Sequence, residues 1–283
     1  MSEAHAGVGA APSLQAALPS LAYAGAAALA YAGAVEWIAP ELSLSLPLLA
    51  VFIAAMISSI AGFAFAPISA VMLIHLVEDP LRMVSMIITA SIMVQLFCVL
   101  NRWREMDWSG GLIVATGGLA TLPLGLLLLL EATGRSHMML LGALLVAHAG
   151  WMMWRPHAAQ AATPSRWAQV MVGAAGGITG GVAGFPAGPL VAWCGWRGMG
   201  RVALWGITQP YILVMQVAAL LLLHLLAPAR GQIVAFDPTL LLVAGPALFG
   251  TACGLQLHGL LSDRHFARLI NLMLLAAGLG MLV

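Results

Sequence analysis

The chain has 283 residues, of which 62% are hydrophobic and only 7% charged, and its mean hydropathy is +1.00. Soluble domains carry about 25% charged residues, so this composition excludes a protein that covers its surface with water-seeking side chains. The net charge is +1 with no lysine at all, which suggests neither a nucleic-acid nor an acidic partner.

Met1–Gln15 holds Glu3 but no Lys or Arg, so it lacks the basic start of a secretory signal. Residues 14–38 are therefore predicted as a helix in its own right, and Gly25, Ala26 and Gly33 suit close packing of that helix. Further apolar helices are predicted over 82–101, 109–130, 136–154, 202–226, 237–258 and 266–283, close to the roughly 20 residues that match a bilayer core. Two other apolar stretches, 46–76 and 167–196, are interrupted. The first breaks at Ala61-Gly62-Phe63-Ala64-Phe65-Ala66-Pro67, the second at Ala183-Gly184-Phe185-Pro186-Ala187-Gly188-Pro189. A polar linker, Arg155–Arg166, lies between the two halves. Cys98, Cys194 and Cys253 are far apart, odd in number and set in apolar sequence, which argues against disulfides and a metal site. No cofactor is expected.

The two clusters expose an internal repeat. Ile60-Ala61-Gly62-Phe63 aligns with Val182-Ala183-Gly184-Phe185, and Pro67 with Pro189, at an offset of 122. Arg82 and Thr89 match Arg201 and Thr208 at an offset of 119; Gly125 and Arg135 match Gly254 and Arg264 at an offset of 129. The expected organisation is an N-terminal extension with one added helix (1–45), a first repeat (46–154), a cytoplasmic linker (155–166) and a second repeat (167–283).

Arginine placement decides how the broken stretches run. As helices their arms would span only ~12–25 Å, short of a ~30 Å core. If both are re-entrant hairpins, Arg102, Arg104, Arg155, Arg166, Arg197, Arg201, Arg264 and Arg268 share one side, against Arg82, Arg135 and Arg230 on the other. That 8-to-3 split follows the positive-inside rule, whereas two kinked crossings would give 5 to 6. The expected fold is thus an all-α polytopic membrane protein of two inverted repeats, each a broken-helix hairpin plus three crossings. The N-terminus faces the cytoplasm, the C-terminus lies outside, and a bacterial cytoplasmic (inner) membrane is the expected location.

Irregular backbone at membrane depth is tolerated only where protein or a wet cavity surrounds it, and paired breaks at repeat-equivalent positions point to a binding site. The candidate substrate-binding residues at the tips are Gly62, Phe63, Ala64, Pro67, Gly184, Phe185, Pro186, Gly188 and Pro189. Pro67 and Pro189 suit the first turn of each second arm, where the missing N–H costs nothing. Each such helix start offers free N–H groups and a positive dipole end, which favours an anion. Gly/Pro clusters that merely kink packed helices are the competing reading. Thr89, Gln95, Thr208, Gln209 and Gln216 add neutral polar groups within the crossings, although Thr and Gln also serve as interhelical glue. Pro210 can bend its helix toward a cavity. Arg82 and Arg201 are candidates for gating or anion attraction and His148 and His224 for proton coupling, with a proton or a sodium ion as the coupling partner. Interfacial anchoring of the arginines and a neutral, hydrogen-bonded state of the histidines are the alternatives.

Gly62-Phe63-Ala64-Phe65 followed by Pro67 resembles the first glycine-rich signature of the sulfite exporter TauE/SafE family, also called the sulfonate uptake permeases. Gly180, Gly184, Pro186, Gly188-Pro189 and Arg201 resemble its second signature, and Gly254 through Arg268 the end of its repeat. The likeness covers about residues 46–283. Ala64 and Ala187 stand where many members have glycine, a departure that tightens the tips. The resemblance implies movement of sulfite, sulfonates or related sulfur-containing or carboxylate anions across the bilayer.

The leading expectation is a secondary transporter of a small anion, with a passive anion or solute channel as the alternative. No G-x-x-x-x-G-K-[ST] motif is present, so ATP is not expected to drive this chain. An enzyme is not expected either: Ser58, Ser59 and Ser91 lack a nucleophile elbow, and no His-Glu-x-x-His occurs.

Overall fold

The computed structural model describes residues 14–38, 44–61, 64–131, 134–154, 165–228 and 238–257, with further helical positions between Asn271 and Leu282. Ten α-helices and no strands occur among the described residues. They are α1 (Leu14–Ile38), α2 (Ser45–Ala61), α3 (Phe65–Leu73), α4 (Pro80–Asn101), α5 (Trp108–Glu131), α6 (Gly134–Trp154), α7 (Arg166–Ala183), α8 (Ala187–Trp196), α9 (Arg201–Leu226) and α10 (Ala244–Leu257). Both interrupted stretches are broken where the Gly/Pro clusters fall. Within 155–166 only Ser165 and Arg166 are described. Gly62, Phe63, Arg155, Arg230, Arg264 and Arg268 also lie outside the described residues, as does most of 266–283.

Three described helices are long and apolar enough to cross a membrane: Leu81–Asn101, Trp108–Glu131 and Val202–Leu226. The molecule is built for an apolar surrounding. Leu100, Leu112, Val202, Leu221 and Leu225 are exposed, while Ser58, Ser59, Thr89, Gln95, Thr208, Gln209 and Gln216 are buried. Exposed tryptophans stand at helix ends, namely Trp37, Trp103, Trp154, Trp167 and Trp196. That is where a membrane–water interface collects indole rings.

Proline positions set several boundaries. Pro80 opens α4 behind an Asp79 cap whose carboxylate accepts from the Leu81 N–H at 2.9 Å. Residues 237–258 were expected as one helix; instead Pro238–Val243 forms a 3₁₀ segment before α10. Pro246 has no N–H for the Leu242 carbonyl, and the Tyr31 hydroxyl of α1 takes that carbonyl at 3.1 Å. The same exchange occurs at Pro210 inside α9. Its missing donor leaves the Gly206 carbonyl open, and the Asp107 N–H fills it at 3.0 Å.

Glycine lets helix backbones touch. α5 packs most extensively on α7, and α10 on α2. A methyl added to Gly125 would strike the carbonyl of Ile178, and one on Gly254 the carbonyl of Met56. Gly254 lies 129 residues after Gly125, and Ile178 lies 122 after Met56. One turn away, Thr121 donates to the Ala174 carbonyl at 2.6 Å, while Gly250, 129 residues after Thr121, faces Phe52, 122 before Ala174. The added helix α1 behaves otherwise than expected. No atom lies within 4 Å of a methyl placed on Gly25 or Gly33; α1 instead seats Ala28, Ala32 and Val35 against α2 and α10. Ala28 packs there on Phe52 and Cys253, so Gly25 and Gly33 lie off the face that α1 buries.

Candidate functional site

Two short helices begin inside the molecule. α3 starts at Phe65 and α8 at Ala187, and neither has a side-chain cap. Their first-turn N–H groups therefore lack the usual capping oxygen. Pro67 and Pro189 are the third residues of these helices, so each helix begins two residues before the proline.

The break before α8 is held by three bonds. Gly184 ends α7 in the left-handed conformation, φ 63°, with its N–H on the Gly180 carbonyl at 2.9 Å. Phe185 N–H reaches the Thr179 carbonyl at 3.4 Å. Pro189 cannot donate to the Phe185 carbonyl, and the Thr179 hydroxyl takes it at 2.9 Å. A methyl on Gly188 would come 2.6 Å from the Phe185 ring, so glycine there lets that ring lie on the first turn of α8.

Both helix starts line one small cavity. Phe65 and Ala66 come from α3, Pro186 and Ala187 from the start of α8, and Gly184 and Phe185 from the break itself. The walls are completed by Ser91 and Gln95 of α4 and by Ile212 and Gln216 of α9. None of these residues is charged. Gln216 Nε2 donates to the Gly184 carbonyl at 2.7 Å and lies 3.4 Å from Ser91 Oγ. That carbonyl fixes which way the amide points, because only the NH₂ can face it. Gln216 Oε1 is then left buried without a hydrogen-bond partner, as is Gln95 Oε1. Unmatched buried acceptors of this kind call for a donor such as water, or for a cation. Ser91 and Gln95 are the twelfth and sixteenth residues of a 22-residue helix, which puts the cavity near mid-depth of α4.

A second cavity adjoins the first through Phe65 and Gln95. Ser58 and Ser59 from the last turn of α2 line it, with Cys98 of α4 and Trp205 and Gln209 of α9. Each cavity measures about 10 Å³, the room of a single water. Among the described residues no group of three or more His, Cys, Asp or Glu could hold a metal ion.

Of the residues singled out from the sequence, the structure brings Gln95, Gly184, Phe185, Pro186 and Gln216 to the first cavity and Gln209 to the second. Ala64, Pro67 and Gly188 are buried in the helix starts behind them, and Pro189 is half-buried there. Thr89 and Thr208 are buried but line neither cavity; the Thr208 hydroxyl donates to the Leu204 carbonyl of its own helix at 2.9 Å. His148 meets the Phe185 ring edge-on at 5.1 Å. His224 sits in the last turn of α9, its Nδ1 2.8 Å from the Leu220 carbonyl. Arg82 is half-buried in the first turn of α4, thirteen residues or ~20 Å before Gln95. Arg201 opens α9; its side chain is outside the described residues.

Sequence reasoning treated Ser58, Ser59 and Ser91 only as would-be nucleophiles, and it missed Phe65 and Thr179. Helical spacing carries the overlooked signal. Ser91 and Gln95 are four apart, and Gln209, Ile212 and Gln216 follow at three and four, so each set shares a face.

The family model described as sulfite exporter TauE/SafE matches residues 46–281, nearly the whole chain. No curated protein and no solved structure matches the chain. The chain belongs to the sulfite exporter TauE/SafE family, which makes it a membrane transporter related to sulfite and sulfonate movement and not a member of an enzyme family.

Proposed function

We propose that this protein is a secondary transporter that carries a small anion, such as sulfite, an organosulfonate or a related sulfur-containing or carboxylate anion, across the cytoplasmic membrane. The anion is held near mid-membrane, where the starts of α3 and α8 meet. The observation that carries this reading is the single cavity lined by Phe65 and Ala66 of one helix start and Ala187 of the other. Two dipole ends of half-helices then act on one ligand, each contributing about 0.3–2 kcal/mol depending on burial. Ser91 and the Gln95 amide supply neutral hydrogen bonds at about 1 kcal/mol each, while the Gln216 NH₂, directed at the Gly184 carbonyl and Ser91, holds the rim in place. Such a sum gives binding weak enough to release the cargo.

The crossed packing of Gly125 on Ile178 and of Gly254 on Met56 supports two related halves that embrace each other, as inverted repeats do. Contacts between α2 and α3 and between α7 and α8 support broken arms that fold back on themselves. A cavity of about 10 Å³ is too small for sulfite, so the hairpins must part from α4 and α9 to load it. A site this narrow favours alternating access over an open pore.

Proteoliposomes holding the purified protein test the reading. Radiolabelled sulfite should enter saturably, and unlabelled sulfite inside should accelerate entry of label. Entry without saturation or counterflow would mark a channel.

A further inference from the structure

We infer that the second cavity is a binding site for a monovalent cation of sodium's size, set beside the anion site and sharing Gln95 with it; this rests on the transport reading above. Ser58, Ser59 and Gln95 bring acceptor oxygens to the cavity. Ser58 and Ser59 both spend their hydroxyl hydrogens on the Ala55 carbonyl, at 3.1 and 2.7 Å, so their lone pairs are what remain to offer. Gln95 Oε1 is buried, with the residue only 3% exposed, and has no hydrogen-bond partner. Ser58 and Ser59 also lie in the last turn of α2, which ends at Ala61. Carbonyls there have no partner within the helix, and the dipole's negative end favours a cation.

Chemistry narrows the occupant. The lining has no carboxylate and no imidazole, so it offers neither the charge a divalent ion needs nor an ordinary proton-binding group. Neutral oxygens in a volume of about 10 Å³ suit one small dehydrated monovalent ion and exclude an oxyanion. The two cavities thus differ in character: the start of α8 faces only the first, a helix end and hydroxyl lone pairs face the second, and Phe65 of α3 borders both. Gln95 lines both, and its amide has an oxygen for the cation and hydrogens for the anion. Filling either side orients that amide for the other, a coupling of the 5–150-fold size seen between linked sites.

The test uses the full chain in detergent. Scintillation-proximity binding of ²²Na⁺, with no anion present, should be saturable and displaced by Li⁺ better than by K⁺. The double variant Ser58→Ala/Ser59→Ala should weaken it at least tenfold. On the unaltered protein, calorimetry should show sulfite binding at least fivefold tighter in sodium chloride than in choline chloride. Sulfite binding that is intact and equal in both salts, with no saturable ²²Na⁺ signal, overturns the cation site and leaves the anion site standing. Unchanged ²²Na⁺ binding in a folded double variant also overturns it. Saturable ²²Na⁺ binding lost in the double variant, with no sulfite bound in either salt, upholds the cation site and instead counts against the transport reading.

Discussion

Gln216 Nε2 donates to the carbonyl of Gly184 at 2.7 Å and so ties the middle of α9 to the residue that ends α7. The bond crosses from one wall of the cavity to the break that forms its rim. Replacing Gln216 with Leu leaves that buried carbonyl unmatched, a cost of about 1–3 kcal/mol. Gln216→Leu should therefore lower the Tm by several degrees and weaken sulfite binding about tenfold, equivalent to about 1.4 kcal/mol. Thermal unfolding and calorimetry on the same preparation read both effects.

Gly184 holds φ 63°, and a methyl there would also meet Ile87 Cγ2 at 3.3 Å. A side chain in the left-handed region costs about 1–2 kcal/mol. Gly184→Ala should fold with reduced stability and slowed uptake. Gly184→Leu should remain extractable and monodisperse in detergent but lose transport, because the bulkier group displaces the tip from α4. Full uptake by the Leu variant would remove the rim from the mechanism.

Backbone contact between α5 and α7 makes a contrast with α1. A methyl on Gly173 would collide with the Val114 carbonyl, whereas Gly25 has open space. Gly173→Ala should cut the yield of folded protein sharply, and Gly25→Ala should leave it unchanged. Size-exclusion chromatography of the two variants makes the comparison.

Fusion reporters address the topology. A reporter in the 155–166 linker should report the cytoplasm, and one after Val283 the outside. Both on one side would rule out a hairpin in each half.

How much of this was legible follows from what each residue must do for the backbone. Breaks at Gly184–Pro186 and before Phe65 were readable because Gly and Pro mark where a helix must stop and restart. The helices at 82–101, 109–130 and 136–154 were readable because an apolar run has few other ways to satisfy its backbone in a membrane. The 3₁₀ segment before α10 was not, since it depends on Tyr31 from a distant helix accepting the role that Pro246 vacates. Thr89 and Thr208 were singled out by repeat equivalence, yet that equivalence fixes depth along a helix and not the direction of a hydroxyl. That Ser58 and Ser59 stand beside Gln95 depends on how the end of α2 meets α4, which the sequence of either helix does not show.

The central claim is that neutral groups at mid-depth, not arginines near the helix ends, hold the anion. Calorimetric titration of sulfite into Gln95→Leu, Arg82→Gln, Arg201→Gln and Thr208→Val tests it most directly. Gln95→Leu should weaken binding about tenfold or more, equivalent to about 1.4 kcal/mol or above. The arginine variants should bind nearly as the parent does while changing transport rate or expression. Thr208→Val should stay close to the parent, since its hydroxyl is already used by its own helix. Loss of all binding in an arginine variant, with normal binding in Gln95→Leu, would place the anion at a charged site near the interface and contradict the assignment.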